Sequence, residues 1–224
     1  MGFFSRWFED GATLSTIHTT DIIPVDLNCL LFNLEETLGK AYHYANDQQA
    51  QKYFDRSEKR KNALNTYCWN ENEGCYFDYD HKAGKQTKSL TLATAFPLFF
   101  SIASPKQATS VAAALENHFL SPGGLRTTTV KTGQQWDAPN GWAPLQWIAI
   151  KGLLNYGHDE LAKEIAGRWL TINEKVYTNT GKMMEKYNVV DINLEAGGGE
   201  YPAQDGFGWT NGVYLKLNSL FRKN

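Results

Sequence analysis

The sequence predicts an all-α protein whose antiparallel helix pairs curve into part of an α/α toroid. Three observations carry that expectation. Apolar residues recur at helical spacing in segment after segment. Helices apolar on nearly every side alternate with charged, amphipathic ones, as inner and outer layers around a centre would. Two helix-to-hairpin joints also share a layout: Asn72-Glu-Gly-Cys-Tyr-Phe-Asp78 and Asn179-Thr-Gly-Lys-Met-Met-Glu185 each place an acid four residues after the turn glycine. Four inner and three outer helices amount to little more than half of a six-pair ring, so one flank of the apolar inner helices should stand uncovered.

Taken in order, residues 1–23 read as irregular, with a Ser/Thr-rich patch at Thr13 to Thr20. Pro24 opens a helix where its missing N–H costs nothing. Leu27, Leu30, Leu31, Leu34 and Leu38 continue it to about Lys40. A second helix, from about Ala41 to Tyr67, carries Asp47, Lys52, Asp55, Arg56, Glu58, Lys59, Arg60 and Lys61, a solvated outer face. Between Cys68 and Asp80 an Asn/Glu/Gly turn separates aromatic runs, which predicts a small hairpin. Ser89 to Ser101 is nearly all apolar or small and should be a buried helix, kinked at Pro97. Residues 105–120 form an amphipathic helix that stops before Pro122-Gly-Gly124. The stretch Gln134 to Trp147 opens a helix running to about Tyr156, and 159–176 is another amphipathic one. A turn at Thr178 to Lys182 and a short extended run from Lys182 to Tyr187 follow, with a second hairpin expected at 181–187. Asp205 to Phe221 is the last helix.

Composition narrows the function classes. The chain has 224 residues, a net charge of −2 and 42% hydrophobic residues, enough for a substantial core. Basic residues form no stripe, which argues against nucleic acid as a partner. No apolar run approaches the ~20 residues of a membrane span, so no membrane partner is expected. Met1-Gly-Phe-Phe-Ser-Arg-Trp7 has no signal-peptide core and no myristoylation pattern, and the compartment stays open between cytoplasm and periplasm. Cys29, Cys68 and Cys75 form no metal pattern; Cys68 and Cys75 flank a turn and could meet, with two free thiols the favoured expectation. The five histidines are far apart and lack zinc spacing, so neither metal nor cofactor is expected. There is no G-x-S-x-G elbow, no P-loop and no dinucleotide fingerprint.

The most informative stretch is Glu185 to Gly212. Three consecutive glycines, Gly197 to Gly199, are entropically costly and make sense where backbone bends sharply or approaches a ligand. Glu200 follows them directly, and Phe207 and Trp209 add flat apolar surface. Glycine, carboxylate and aromatic interleaved point to a sugar pocket; the alternative is a glycine-rich surface loop with an aromatic anchor. Glycoside hydrolysis needs two carboxylates across the scissile bond, one giving a proton to the leaving oxygen and one attacking or activating water. Asp26, Asp78, Asp137, Glu185, Glu200 and Asp205 all lie near predicted loop ends, and Glu185 and Glu200 sit in the most apolar or glycine-rich surroundings.

Gln135-Trp-Asp-Ala-Pro-Asn-Gly-Trp-Ala-Pro144 resembles the second signature of the trehalase family of glycoside hydrolases. Gly197 to Val213 resembles the family's C-terminal glycine-rich block, and Glu185-Lys-Tyr187 resembles the segment that carries its catalytic base. Pro24-Val-Asp-Leu-Asn28 and Pro122-Gly-Gly124 also match, so the resemblance covers nearly the whole chain. It implies an α/α toroid that hydrolyses α,α-trehalose to glucose with inversion. Carried over by motif, it makes Glu185 the general base and Glu200 a sugar-binding acid, with Trp136, Asp137, Trp142 and Trp209 lining or supporting the site.

The departures are equally specific. The family's earlier, arginine-bearing signature has no counterpart here. In the stretch matching the family's acid-bearing segment, Gly2 stands where the general-acid Asp would be, and His18 stands where relatives tend to have Arg. Residues 1–224 are therefore expected to form a single partial catalytic domain, the C-terminal part of the toroid. Its expected partners are trehalose and a chain carrying the missing N-terminal half. The alternative is a non-catalytic remnant serving as a sugar-binding or partner-binding scaffold.

Overall fold

The structure, a computed structural model, describes residues 5–11, 13–194 and 204–222. Pro24, with φ fixed near −74°, immediately precedes helix α1 (Val25–Tyr44). A turn through Asn46, which takes a positive φ of 55°, reverses the chain into α2 (Gln49–Ala63). The expected boundary at Lys40–Ala41 thus moves: α1 runs four residues further, and the break falls where Asn tolerates the left-handed region. The charged face of α2 is not wholly idle. Arg60 forms a fork on Glu35 (both nitrogens at 2.8 Å) and reaches Asn28 at 2.7 Å, tying the two helices together.

A single π turn (Leu64–Cys68) leads into a hairpin of β2 (Trp69–Asn70) and β3 (Cys75–Tyr76), where the sequence places one. A small sheet lies beside it: β4 (Tyr79–Asp80) pairs with β1 (Ile22–Ile23) on one side and β5 (Lys85–Gln86) on the other. The three cysteines are buried free thiols.

The expected helix at 89–101 is shorter and different in kind. Thr91 accepts a hydrogen bond from the Ala93 amide and starts a 3-10 turn (Leu92–Ala95), which runs into one α-helical turn, α3 (Phe96–Phe99). Pro97 lies in the first turn, where no backbone donor is required, so it kinks nothing. Ser104 and Gln107 form a reciprocal capping box at the start of α4 (Pro105–Ala114), and a π turn (Leu115–Phe119) extends it. A two-stranded pair, β6 (Leu120–Ser121) and β7 (Gly124–Leu125), surrounds Pro122-Gly123. Strand β8 (Asn140–Trp142) leads into α5 (Ala143–Asn155); α6 (Asp159–Thr180) and α7 (Gly208–Phe221) complete the chain. The expected 181–187 hairpin does not form. Strand β9 (Lys186–Asn188) pairs with β8 more than forty residues upstream instead.

Helices α1, α3, α5 and α7 pack in succession as one row, with α2 against α1 and α6 against α5 and α7 on the other side. This is the alternation of inner and outer helices that the sequence predicts. The core between the rows buries Leu98, Ile150, Leu153, Ile165 and Trp169 completely, each worth about 1.5–3 kcal/mol of transfer from water. Gly152 lets α5 close on α3, since a Cβ there would come within 2.9 Å of the Leu98 Cβ and 3.0 Å of the Phe99 amide. The apolar stripe expected on α1 is only partly covered: Leu27, Leu30 and Leu34 are 50%, 49% and 51% exposed, while Val25 and Cys29 are buried. At the far end of the row, Leu215 and Leu220 of α7 are exposed as well.

Candidate active site

The β8–β9 pair assembles the site. Its register sets Trp142 opposite Lys186, Gly141 opposite Tyr187 and Asn140 opposite Asn188, so the Gln135–Pro144 stretch meets the Glu185–Tyr187 stretch. Residues 204–210 close on the same strand from the other side. Glu185 donates its amide to the Gln204 carbonyl (2.8 Å), and Gly206 donates its own to Met183 (2.9 Å). The buried Thr210 hydroxyl donates to the Met184 carbonyl (2.7 Å), and the Trp209 indole donates to the Glu185 carbonyl (3.2 Å).

The main chain of Glu185 is thereby held on both sides, its amide by the Gln204 carbonyl and its carbonyl by the Trp209 indole, and 4% of the residue's surface is exposed. An aromatic cluster adjoins it through the Trp209 indole. Trp136 and Trp142 stack in parallel with centroids 3.8 Å apart, Trp209 meets Trp142 edge-on at 5.9 Å, and Phe207 lies 4.9 Å from Trp209. Trp142 is buried, with its indole donating to the Gln135 carbonyl at 3.1 Å, whereas Trp209 is 37% exposed. A rigid aromatic wall beside a buried carboxylate suits the apolar face of a pyranose and one acid–base step at its polar edge.

Of the residues expected from the sequence, Glu185, Trp136, Trp142 and Trp209 thus come together. Glu200 lies outside the described residues. Asp137 is on the same loop but is completely buried and taken up by hydroxyls: Ser5 donates to it at 2.8 Å, Thr128 at 3.0 Å, and Thr132 makes a third, short bond. Its geometry fastens the Ser5–Trp7 turn to the 128–137 loop. Asp205 forms an ion pair with Lys182 at 2.5 Å on the surface.

Asp26 and Asp78 converge on Arg6. Its guanidinium contacts both oxygens of Asp26 at 3.0 and 3.1 Å and lies 3.5 Å from Asp78, whose other oxygen accepts the Val25 amide at the start of α1 (2.9 Å). Burial raises the Asp78 carboxyl above the usual range and nearby Asp26 pushes the same way, while Arg6 opposes both. Ser5, Arg6 and Thr128 also border a cleft of about 510 Å³, with His18, Asp80 and Val130. Sequence reasoning gave Arg6, Ser5 and Lys186 no role, and only their places in the matched motifs could have drawn attention to them. Among the described residues no cluster of His, Cys, Asp or Glu is arranged to hold a metal ion, and no helix is long and apolar enough to cross a membrane.

Comparison with known proteins shows the family of the chain. Over 219 residues, 97% of the chain, it is 52% identical to the periplasmic trehalase of Citrobacter koseri and 51% identical to that of Salmonella paratyphi B. In each case it spans 38% of the relative's own length. The fold superposes on the neutral trehalase Nth1 of Saccharomyces cerevisiae with a TM-score of 0.76 and 25% identity, covering 89% of this chain and 38% of that one. It also superposes on a GH63 mannosylglycerate hydrolase of Thermus thermophilus, at a TM-score of 0.66 and 21% identity, over 89% of this chain and 45% of the other. The family model for trehalase matches residues 1–221, and the chain belongs to the trehalase family.

Proposed function

We propose that this chain supplies the base side of an inverting glycoside hydrolase that splits α,α-trehalose into glucose. Residues 1–224 then form one C-terminal portion of the toroid, and the general acid and the arginine-bearing wall come from a segment outside them. The observation that carries the reading is Glu185: a buried acid in the motif position of the family's base, its main chain held by Gln204 and by Trp209, which joins the Trp136–Trp142 stack. In an inverting reaction the base carboxylate takes a proton from water as the water attacks the anomeric carbon. The acid protonates the leaving oxygen from the other side, ~6.5–9.5 Å away. Trp136 and Trp209 would hold the sugar faces, with Trp142 packed behind them, Glu200 would bind hydroxyls, and Asp137 would support the loop that carries Trp136 and Trp142. Membership in the family and the names of the relatives support the substrate, and their periplasmic naming favours that compartment.

The exposed leucines of α1 and α7 support the need for a completing segment. Apolar inner helices left open at both ends of a row are surfaces that further helix pairs would cover.

The assay is glucose release from trehalose by the 224-residue chain, alone and mixed with a segment carrying the family's first signature and its acid. The lone chain should turn over at least ~10²-fold more slowly than the completed enzyme, the usual cost of a missing general acid. Glu185→Gln should abolish the restored activity. Undiminished turnover by the lone chain, or full activity in Glu185→Gln, would overturn the proposal.

A further inference from the structure

We propose that Lys186 is a positioning residue for the Glu185 carboxylate, a role that rests on Glu185 being the base. Lys186 is completely buried, and an ammonium is removed from water only where charge and hydrogen bonds replace its hydration. Its Nζ lies 3.3 Å from Glu185 Oε2 and 3.3 Å from Gln135 Oε1, and 5.5 Å from the centre of the Trp142 ring. The contact with Glu185 is unusual for strand neighbours, because successive side chains leave a strand on opposite faces. The four-carbon stem reaches back to the neighbouring carboxylate, and the far side of the ammonium is fixed to a second element.

That second element is itself rigid. The Gln135 carbonyl accepts from the Trp142 indole and from the Asn140 side-chain amide, both at 3.1 Å, and Gln135 is completely buried. The chain of contacts Glu185–Lys186–Gln135 therefore locks one carboxylate oxygen of the base to the loop that carries the aromatic wall. Fixing that oxygen also fixes the direction of the other. A base that must meet one water at one angle gains from this, since a misplacement of about 1 Å can cost ~10²-fold in rate. Among the described residues, two other acids near this strand have partners of their own: Asp137 accepts from three hydroxyls, and Asp205 pairs with Lys182.

The test has two parts. Urea unfolding of the 224-residue chain is measured for wild type, Glu185→Gln, Lys186→Met and the double variant. The bridge predicts that the double variant is more stable than the sum of the single losses, by about tenfold in the unfolding constant, or about 1.4 kcal/mol. Additive losses would overturn the bridge. In the completed enzyme, Lys186→Met should lower kcat by ~10–100-fold with KM changed less than about threefold, the pattern of an interaction needed at the transition state. Unchanged kcat alongside a coupled unfolding cycle would show a structural tie and overturn the positioning role. Should Lys186→Met fail to fold, Gln135→Met removes the far anchor while leaving the charge pair, and must lower kcat in the same sense. A completed wild-type enzyme that releases no glucose would overturn the function and this role with it, while the unfolding cycle would still decide the bridge.

Discussion

Adding one methyl group to the chain should have opposite effects at two glycines. Gly141 lies in the centre of β8, opposite Tyr187. A Cβ there would fall 2.5 Å from Val189 Cγ1, 2.9 Å from the Leu125 carbonyl oxygen and 3.2 Å from Gln146 Nε2. None of these neighbours yields easily. Val189 is completely buried and stiff at χ1. The Leu125 carbonyl is backbone and already accepts from Gln146 Nε2 at 2.6 Å, while Gln146 Oε1 accepts the Leu125 amide at 2.9 Å. Relief would therefore push β8 away from β9 or break the Gln146 clamp. Overpacking of this kind costs about 1–3 kcal/mol, and each lost clamp bond about 1 kcal/mol more. For a chain of this size, about 3 kcal/mol lowers the melting temperature by roughly 6–12 °C. Gly167 is the control. It lies within α6 with nothing within 4 Å of its would-be Cβ, so Gly167→Ala should gain up to about 1 kcal/mol of helix propensity. Thermal unfolding followed by circular dichroism compares the two. A Gly141→Ala chain as stable as wild type, or a Gly167→Ala chain several degrees less stable, would refute the packing described around the β8–β9 pair.

Two further outcomes follow from buried groups. Burial pushes the Cys68 thiol up to about 12 and the Cys75 thiol up to about 11. Both should stay protonated in the native chain at pH 8, and a thiol reagent should label them only at the rate of unfolding. Because the unfolded chain gives up these protons first, the stability they contribute is complete below about pH 9 and is lost as pH rises towards 11 and 12. Cys75→Ala should therefore make alkaline unfolding less steep. Asp137→Ala removes the acceptor of three hydroxyl bonds and should lower stability by about 3 kcal/mol or more, read from the urea midpoint, with Asp137→Asn falling between it and wild type. Equal midpoints for the three chains would count against the structural role of this carboxylate.

The existence and order of the helices were legible in the sequence because helical periodicity is local. Spacing placed α1, α4, α5, α6 and α7, Pro24 marked the start of α1, and alternating apolar and charged segments gave the inner and outer rows. The motifs selected Glu185, Trp136, Trp142 and Trp209, which the fold does bring together. What spacing could not contain was the partner of each buried charge. Asp137 looked like a pocket residue, but the fold sets on it the hydroxyl of distant Ser5 and those of Thr128 and Thr132 from its own loop. Asp26 and Asp78 looked like separate loop acids until Arg6 joined them. The extended run at Lys182–Tyr187 was visible, but its strand partner lay at Asn140–Trp142, since a short β-ladder is satisfied by whichever backbone the packing delivers. Lys186 was one more charge in the sequence; only the tertiary structure buries it, and a buried ammonium must find its counter-charge and acceptors in three dimensions.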